Sequence, residues 1–154
     1  MSRRVPIALG VIALAVVPAA LAAAPASRIV PVAFAGKTQL TTVESPLVLE
    51  DTGTVKGSPV GSGDIVLAYT LRPKRSVANV AWTITNASGT VTGTATANYT
   101  TSNVAITFTG IGRITGGTGA YAGIRSLPLQ FNAKHSKTGK KEAIAFTGSA
   151  TLPR

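Results

Sequence analysis

Apolar and polar residues alternate with a period of two along almost the whole chain after residue 26. Such alternation is typical of a β-strand with one buried face and one face in water. The segment 64–71, for example, has on one face Ile65, Leu67, Tyr69 and Leu71. The same pattern recurs in the segments 80–85, 90–99, 104–108, 127–131 and 144–152. No segment of this part shows the period of an amphipathic helix, so the sequence predicts an all-β protein.

The strand-like segments are separated by short groups of turn-forming residues. These groups are Asn86–Gly89, Pro73–Arg75, Asn103 and Gly139. Consecutive strands joined by tight turns are typical of a sandwich or a closed barrel, and closure removes exposed strand edges that recruit other chains. We therefore predict a closed antiparallel up-and-down barrel of about eight strands. Its Ile, Leu, Phe and Trp face is expected inside, and a face of threonines (Thr90, Thr92, Thr94 and Thr96) outside.

The expected interior contains both large aromatic residues and very small ones. Small side chains at Gly93, Ala95 and Ala97 leave room either for a bound molecule or for the rings of their neighbours. The aromatic residues either line a ligand cavity or pack as an ordinary core. These candidate ligand-binding residues are Tyr69, Trp82, Tyr99 and Phe108.

The N-terminus has the three regions of a secretory signal peptide. Arg3 and Arg4 precede a long apolar stretch, which ends in the small-residue motif Ala24-Pro25-Ala26. We predict a signal peptide over residues 1–26, a lead-in segment over 27–46 that is partly flexible, and a barrel domain over 47–154. The protein is then secreted and has no membrane contact after cleavage. An uncleaved membrane anchor is the alternative, because the apolar stretch approaches the roughly 20 residues that span a bilayer.

The chain is strongly basic, with a formal net charge of +10, and contains no cysteine. Such a charge attracts anionic partners, and an anionic cell-surface polymer is the expected one. The segment Lys134–Lys141 concentrates basic residues in a predicted hairpin loop, which is either an anion contact or a solvated turn. Nucleic acid is not expected, because no aromatic residues alternate with these charges. Disulfides, thiol nucleophiles and thiolate metal ligands are excluded.

The string "GRITGGTGAYAG", residues 112–123, contains the spacing Gly117-x-Gly119-x-x-Ala122, which fits a relaxed dinucleotide-binding fingerprint. A pyrophosphate site also needs a helix after the glycines, whereas the next segment alternates at period two and contains Pro128. We therefore interpret the string as a backbone turn with Tyr121 covering it. The turn residues are Gly116, Gly117, Gly119, Tyr121 and Gly123. Two flanking side chains, Arg113 and Arg125, either contact an anion or face solvent.

The longer string "FTGIGRITGGTGAYAGIR", residues 108–125, resembles the signature of the allene oxide cyclase and dirigent barrel superfamily. The strings "TITNASGTVTG" and "GSGDIVLAYTL" are also similar to this family, and the likeness extends from about Gly53 to Leu152. One departure is Ser126, where the family commonly has glycine. The resemblance implies a calycin-type barrel of eight antiparallel strands, usually a homo-oligomer, with a hydrophobic cavity open at one end.

The ionisable residues do not form an evident catalytic constellation. Asp51 precedes an expected turn at Gly53, Glu142 borders the basic loop, and Asp64 has outward parity. The single histidine, His135, is expected in a solvated loop. The sequence therefore leaves any catalytic residue unknown, and we predict no metal site and no cofactor.

Two hypotheses on function remain open. In the first, a secreted barrel binds a small hydrophobic molecule or serves as a surface interaction module without catalysis. In the second, which the resemblance suggests, a cyclase, isomerase or dirigent-like protein orients a reactive substrate in the barrel cavity. An interior void below about 300 Å³ would favour an interaction role, because ligand pockets are usually larger.

Overall fold

A computed structural model describes residues 26–139 and 141–154, which form a closed antiparallel barrel. Its strands follow one another around the ring in the order β1-β2-β3-β4-β5-β6-β8-β9, and β9 pairs with β1 to close it. The short β7 pairs with the end of β9, on the same edge of β9 that pairs with β8. The strands are β1 (Ser27–Ser45), β2 (Val48–Ser58), β3 (Gly61–Arg72), β4 (Val77–Asn86), β5 (Gly89–Thr101), β6 (Ala105–Gly117), β7 (Arg125–Ser126), β8 (Leu129–Ser136) and β9 (Lys141–Pro153).

Two 3₁₀ turns, Pro73–Arg75 and Gly119–Tyr121, interrupt the strands. The described part of the chain holds no helix of the length and apolarity needed to cross a membrane. The all-β class and the closed barrel of eight strands are confirmed. The predicted signal peptide lies almost wholly in residues 1–25, which are outside the described residues.

The prediction that residues 27–46 form a lead-in segment before the barrel is wrong. Residues Ser27–Ser45 form β1, which is the longest strand. β1 pairs with β9 over Ser27–Gln39 and with β2 over Ala33–Ser45, so it closes the ring. Its inward residues include Val32, Phe34 and Thr38. The alternation was hard to recognise because Thr38 is polar and the intervening Gly36 has no side chain.

Four aromatic side chains, Phe34, Trp82, Phe131 and Phe146, form an aromatic layer across the middle of the barrel. The ring centroids of Trp82 and Phe146 are 5.0 Å apart, although β4 and β9 lie on opposite sides of the eight-stranded ring. Phe146 also lies 4.9 Å from Phe34 and 4.8 Å from Phe131. Opposite walls therefore meet at this level, and no passage runs through the barrel there.

The small residues of β5 provide space for these rings. A side chain at Gly93 would collide with the indole of Trp82, and Ala95 and Ala97 are buried beside it. Of the two interpretations left open by the sequence, core packing is the one observed here.

Most strand faces point as predicted, with two exceptions. Thr94 and Thr96 are exposed, in agreement with an outer threonine face. Val104 and Leu127, however, are 64% and 65% exposed, so their predicted inward direction is wrong. Val104 belongs to the turn before β6, and Leu127 precedes β8 next to Pro128.

The glycine-rich stretch reverses the chain, but only some of its glycines act through backbone conformation. Gly119 and Gly123 have φ of +58° and +76°, which favour glycine. Gly116 and Gly117 instead end β6, contrary to prediction. A Cβ at Gly117 would lie 2.5 Å from the carbonyl oxygen of Tyr121, so this glycine is required by close approach.

Tyr121 covers this turn, and its hydroxyl group finds partners as predicted. The hydroxyl donates to the carbonyl oxygen of Val60 (3.2 Å) and accepts from Asn86 Nδ2 (2.9 Å). Ser126 also has a defined role, because its Oγ accepts a 2.7 Å hydrogen bond from the backbone N–H of Ile114. That N–H lies where the β5–β6 register shifts.

Candidate functional site

The barrel has two ends, which we name by their contents. The glycine end carries the β2–β3, β4–β5 and β6–β7 connections, and the cluster end carries β1–β2, β3–β4, β5–β6 and β8–β9. At the cluster end, five polar side chains on five neighbouring strands point towards the barrel interior. This interior polar cluster consists of Thr38 on β1, Asp51 on β2, Tyr69 on β3, His135 on β8 and Glu142 on β9.

Strand parity and register bring these residues to the same level. His135 continues the inward series of Phe131 and Ala133 along β8, and Glu142 shares the parity of Phe146 on β9. In the sheet, Glu142 lies directly opposite His135 on one side and Thr38 on the other. Side chains with equal parity in adjacent strands project to the same face, so the three groups meet inside the barrel.

The cluster is held by a few direct contacts. The Tyr69 hydroxyl donates a short hydrogen bond to Glu142 Oε1, and Thr38 Oγ1 donates a long one (3.5 Å) to Asp51 Oδ2. His135 Nδ1 lies 3.8 Å from Asp51 Oδ2 and 3.8 Å from Glu142 Oε2. Asp51 and Glu142 are 1% and 2% exposed. The His135 side chain keeps 16% exposure, so solvent reaches the cluster at this residue.

This environment shifts the protonation equilibria of the cluster. Burial, reinforced by hydrogen bonding to Glu142 and by its charge, raises the pKa of Asp51 to about 8. The carboxylate of Glu142 facing the ring raises the pKa of His135 above its usual 6.5, against the opposing effect of burial. Burial and the charge of Glu142 raise the pKa of the Tyr69 hydroxyl well above 10. Near neutral pH the cluster therefore retains protons that the same groups lose in water.

The expectation that these ionisable residues lie outside the interior is wrong for Asp51, His135 and Glu142. The sequence contained a signal for His135 and Glu142. Each has the inward parity of the apolar residues in its own strand-like segment and lies two to four residues beyond them. Asp51 was missed because Gly53 was interpreted as a turn. Gly53 lies inside β2, and a Cβ there would lie 2.6 Å from the Cα of Thr38 on the neighbouring strand.

The four aromatic candidates separate into different environments. Tyr69, Trp82 and Phe108 are buried, whereas Tyr99 is half-buried. Phe108 packs between Tyr69 and Tyr99, with ring centroids 5.1 and 5.8 Å away. Trp82 belongs to the aromatic layer instead. Half-buried apolar residues at the cluster end form an apolar rim, which consists of Leu49, Leu71, Tyr99 and Ile106.

A second feature lies on the outer surface of the same end. A groove of about 390 Å³ runs beside the β8–β9 hairpin, and Lys37, Lys134 and Lys141 line it; we call it the basic groove. Lys37 and Lys134 are the cross-strand neighbours of Ala143 on its two sides. Lys134 and Lys141 thus lie in strands, rather than in a loop as predicted.

The predicted anion contacts Arg113 and Arg125 are not part of the basic groove. Both are exposed near the glycine end, and Arg125 Nη1 donates to the carbonyl oxygen of Ile124 (2.8 Å). Other cavities formed by the described residues measure 200 to 350 Å³ and also open on the barrel surface. Comparisons with known protein families, with curated proteins and with solved structures give no match for this chain.

Proposed function

We propose that the protein is a secreted β-barrel that serves as a surface interaction module and binds an anionic polymer in the basic groove. The observation that carries this proposal is the position of Lys37, Lys134 and Lys141 along one groove of about 390 Å³. The aromatic layer supports it from the inside, because contact between opposite walls leaves no cavity for a ligand at that level.

Rigid strands make these lysines a better anion site than a mobile loop. Neighbouring strands are about 4.8 Å apart, so the backbones of β1 and β8, on either side of β9, are separated by about twice that distance. Two lysines at this spacing on one face would each pair with a different charge of the same extended polyanion. The net positive charge, which falls from +10 to about +8 when Arg3 and Arg4 are removed with the predicted signal peptide, adds long-range attraction to the contact.

The test uses long-chain polyphosphate as a defined polyanionic probe. We expect the triple variant Lys37→Gln, Lys134→Gln, Lys141→Gln to bind it at least about tenfold more weakly, measured by isothermal titration calorimetry at low and physiological salt. The matched control is Arg72→Gln, Lys74→Gln, Arg75→Gln, which removes the same charge from the β3–β4 connection of the same end. Equal weakening by both triple variants would show attraction to net charge alone and contradict a groove.

A cyclase or isomerase is the second candidate, and one observation favours it. The interior polar cluster places the hydrogen-bonded Tyr69 and Glu142 below the apolar rim, where they would contact a polar group of an apolar substrate. The resemblance to the allene oxide cyclase and dirigent superfamily supports this candidate, and homo-oligomer formation is part of the same prediction.

This candidate is tested with a neutral hydrophobic fluorophore, N-phenyl-1-naphthylamine. Saturable binding that is lost in Leu71→Arg but kept in Val66→Arg, an exposed position with outward parity on the same strand, would support a ligand site within the rim. If neither variant changes the fluorescence titration, the cyclase candidate is rejected and the interaction module remains.

A further inference from the structure

Three potential metal ligands converge inside the cluster end. One donor atom each from Asp51, His135 and Glu142 lies within 4.8 Å of the other two, and His135 Nδ1 is 3.8 Å from both carboxylates. In a triangle with sides of 3.8 to 4.8 Å, the common centre is about 2.2 to 2.8 Å from each corner. Zinc bonds to imidazole nitrogen and carboxylate oxygen are about 2.0 to 2.2 Å long. Small side-chain movements would therefore bring all three atoms to bonding distance of one ion.

The two distances that involve His135 are longer than ordinary hydrogen bonds. An N–H···O bond between His135 and either carboxylate requires about 3.2 Å or less, but both distances are 3.8 Å. The ring nitrogen thus faces two carboxylate oxygens across a gap without bonding directly to either. Such an arrangement, with donor atoms around a shared centre, is compatible with metal ligation.

The charge balance of the cluster also favours a cation. Asp51 and Glu142 are both almost fully buried, and burying two neighbouring carboxylates is costly unless a positive group compensates them. A divalent ion bound between the two groups would compensate both carboxylates together.

The remaining members of the cluster orient the ligands. The Tyr69 hydroxyl donates a hydrogen bond to Oε1 of Glu142, and Oε2 is the oxygen that faces His135. Hydrogen bonds of this kind fix ligating carboxylates and raise metal affinity. The three ligands come from β2, β8 and β9, whose register is set by the barrel and not by a loop.

We propose that Asp51, His135 and Glu142 bind one divalent transition-metal ion inside the cluster end of the barrel. Two carboxylates and one imidazole suit Zn²⁺, Mn²⁺ or Fe²⁺ rather than Ca²⁺, which prefers oxygen ligands alone. Three protein ligands leave at least one coordination position open. The proposal does not depend on anion binding in the basic groove, although Glu142 also contributes to the lining of that groove.

The first test is calorimetry on the chelator-treated protein without a histidine tag, titrated with Zn²⁺, Mn²⁺ or Ca²⁺ alone. We expect one Zn²⁺ per chain with a Kd below about 10 µM, weaker Mn²⁺ binding, and much weaker Ca²⁺ binding. His135→Gln and Glu142→Gln should weaken Zn²⁺ binding at least tenfold, and Tyr69→Phe about tenfold. Glu50→Gln, which removes the carboxylate next to Asp51 in sequence but with outward parity, is the matched control and should change affinity less than twofold.

The second test uses the fact that His135 is the only histidine of the chain. Its ring signals in ¹H–¹⁵N NMR spectra should shift on addition of one equivalent of Zn²⁺ and cease to titrate between pH 5 and 8. This measurement needs only the wild-type protein, so it remains decisive if a variant fails to fold. The proposal is overturned if the ring signals do not move, or if Glu50→Gln weakens binding as much as Glu142→Gln.

Discussion

The two ends of the barrel both contain a buried tyrosine whose hydroxyl group forms hydrogen bonds to residues distant in sequence, but the chemistry around each tyrosine differs. At the glycine end, Tyr121 connects Asn86 and Val60 through hydrogen bonds between neutral groups. At the cluster end, Tyr69 donates to the carboxylate of Glu142, which shares its surroundings with a second buried acid.

This difference separates a structural arrangement from a functional one. Neutral groups that satisfy each other inside a protein contribute about 1 kcal/mol per hydrogen bond. Buried acids whose pKa values are shifted by several units reduce stability at neutral pH, and such groups concentrate at binding and catalytic sites. The glycine end therefore has the features of a structural arrangement, whereas the cluster end has those of a candidate site.

The largest expected effect is a pH dependence that belongs to the cluster end alone. Asp51 has a pKa of about 8 in the folded protein, against 3.8 for the free side chain. Between these values the folded state holds a proton that the unfolded state has lost, so stability falls as pH rises. The raised pKa of His135 acts in the same direction above pH 6.5.

We expect the free energy of unfolding of the wild type to fall by about 4 kcal/mol more than that of Asp51→Asn between pH 5 and 8. The measurement is urea denaturation in EDTA, which keeps the cluster free of metal. Asp64→Asn removes an exposed carboxylate and should follow the wild type. Parallel curves for wild type and Asp51→Asn would contradict a raised pKa at this residue.

The next effect concerns the glycine end, where substitution of two adjacent glycines by alanine is expected to change stability by very different amounts. A Cβ at Gly117 would lie 2.5 Å from the Tyr121 carbonyl oxygen and 2.9 Å from Ile124 Cγ2. We expect Gly117→Ala to cost about 3 kcal/mol, because backbone cannot yield as a flexible side chain does. A Cβ at Gly116 would have nothing closer than 3.4 Å, so Gly116→Ala should be nearly neutral. Urea denaturation at constant pH compares the two, and equal losses would refute the close approach at Gly117.

The same contrast explains how far the sequence predicts this molecule. Period-two alternation predicts the strands from β3 onward, because one face of each is almost wholly apolar. It fails where the inner face is polar, as at Thr38 and Asp51, and the first two strands were missed for that reason. The turn at Tyr121 was predicted because glycine spacing reflects local backbone geometry.

The interior polar cluster could not be predicted as a unit, because its members come from five strands that the chain visits far apart. Only barrel closure, through the pairing of β1 with β9, brings Asp51 close to Glu142 and His135. Strand parity alone predicts that the side chains of His135 and Glu142 point inward. Their shared level depends on strand register, which the sequence does not show directly.

The smallest effect compares one hydroxyl group at each end. Ser126 Oγ accepts a 2.7 Å hydrogen bond from the N–H of Ile114 near the glycine end, and Ser126→Ala should cost about 1 kcal/mol by leaving that N–H without a partner. Thr38 Oγ1 lies 3.5 Å from Asp51 Oδ2, too far for a strong bond, so Thr38→Val should cost less than about 0.5 kcal/mol. Both are measured by urea denaturation at pH 7. A larger loss in Thr38→Val than in Ser126→Ala would mean that the threonine is needed to hold Asp51, and that the cluster end contributes more to stability than its geometry indicates.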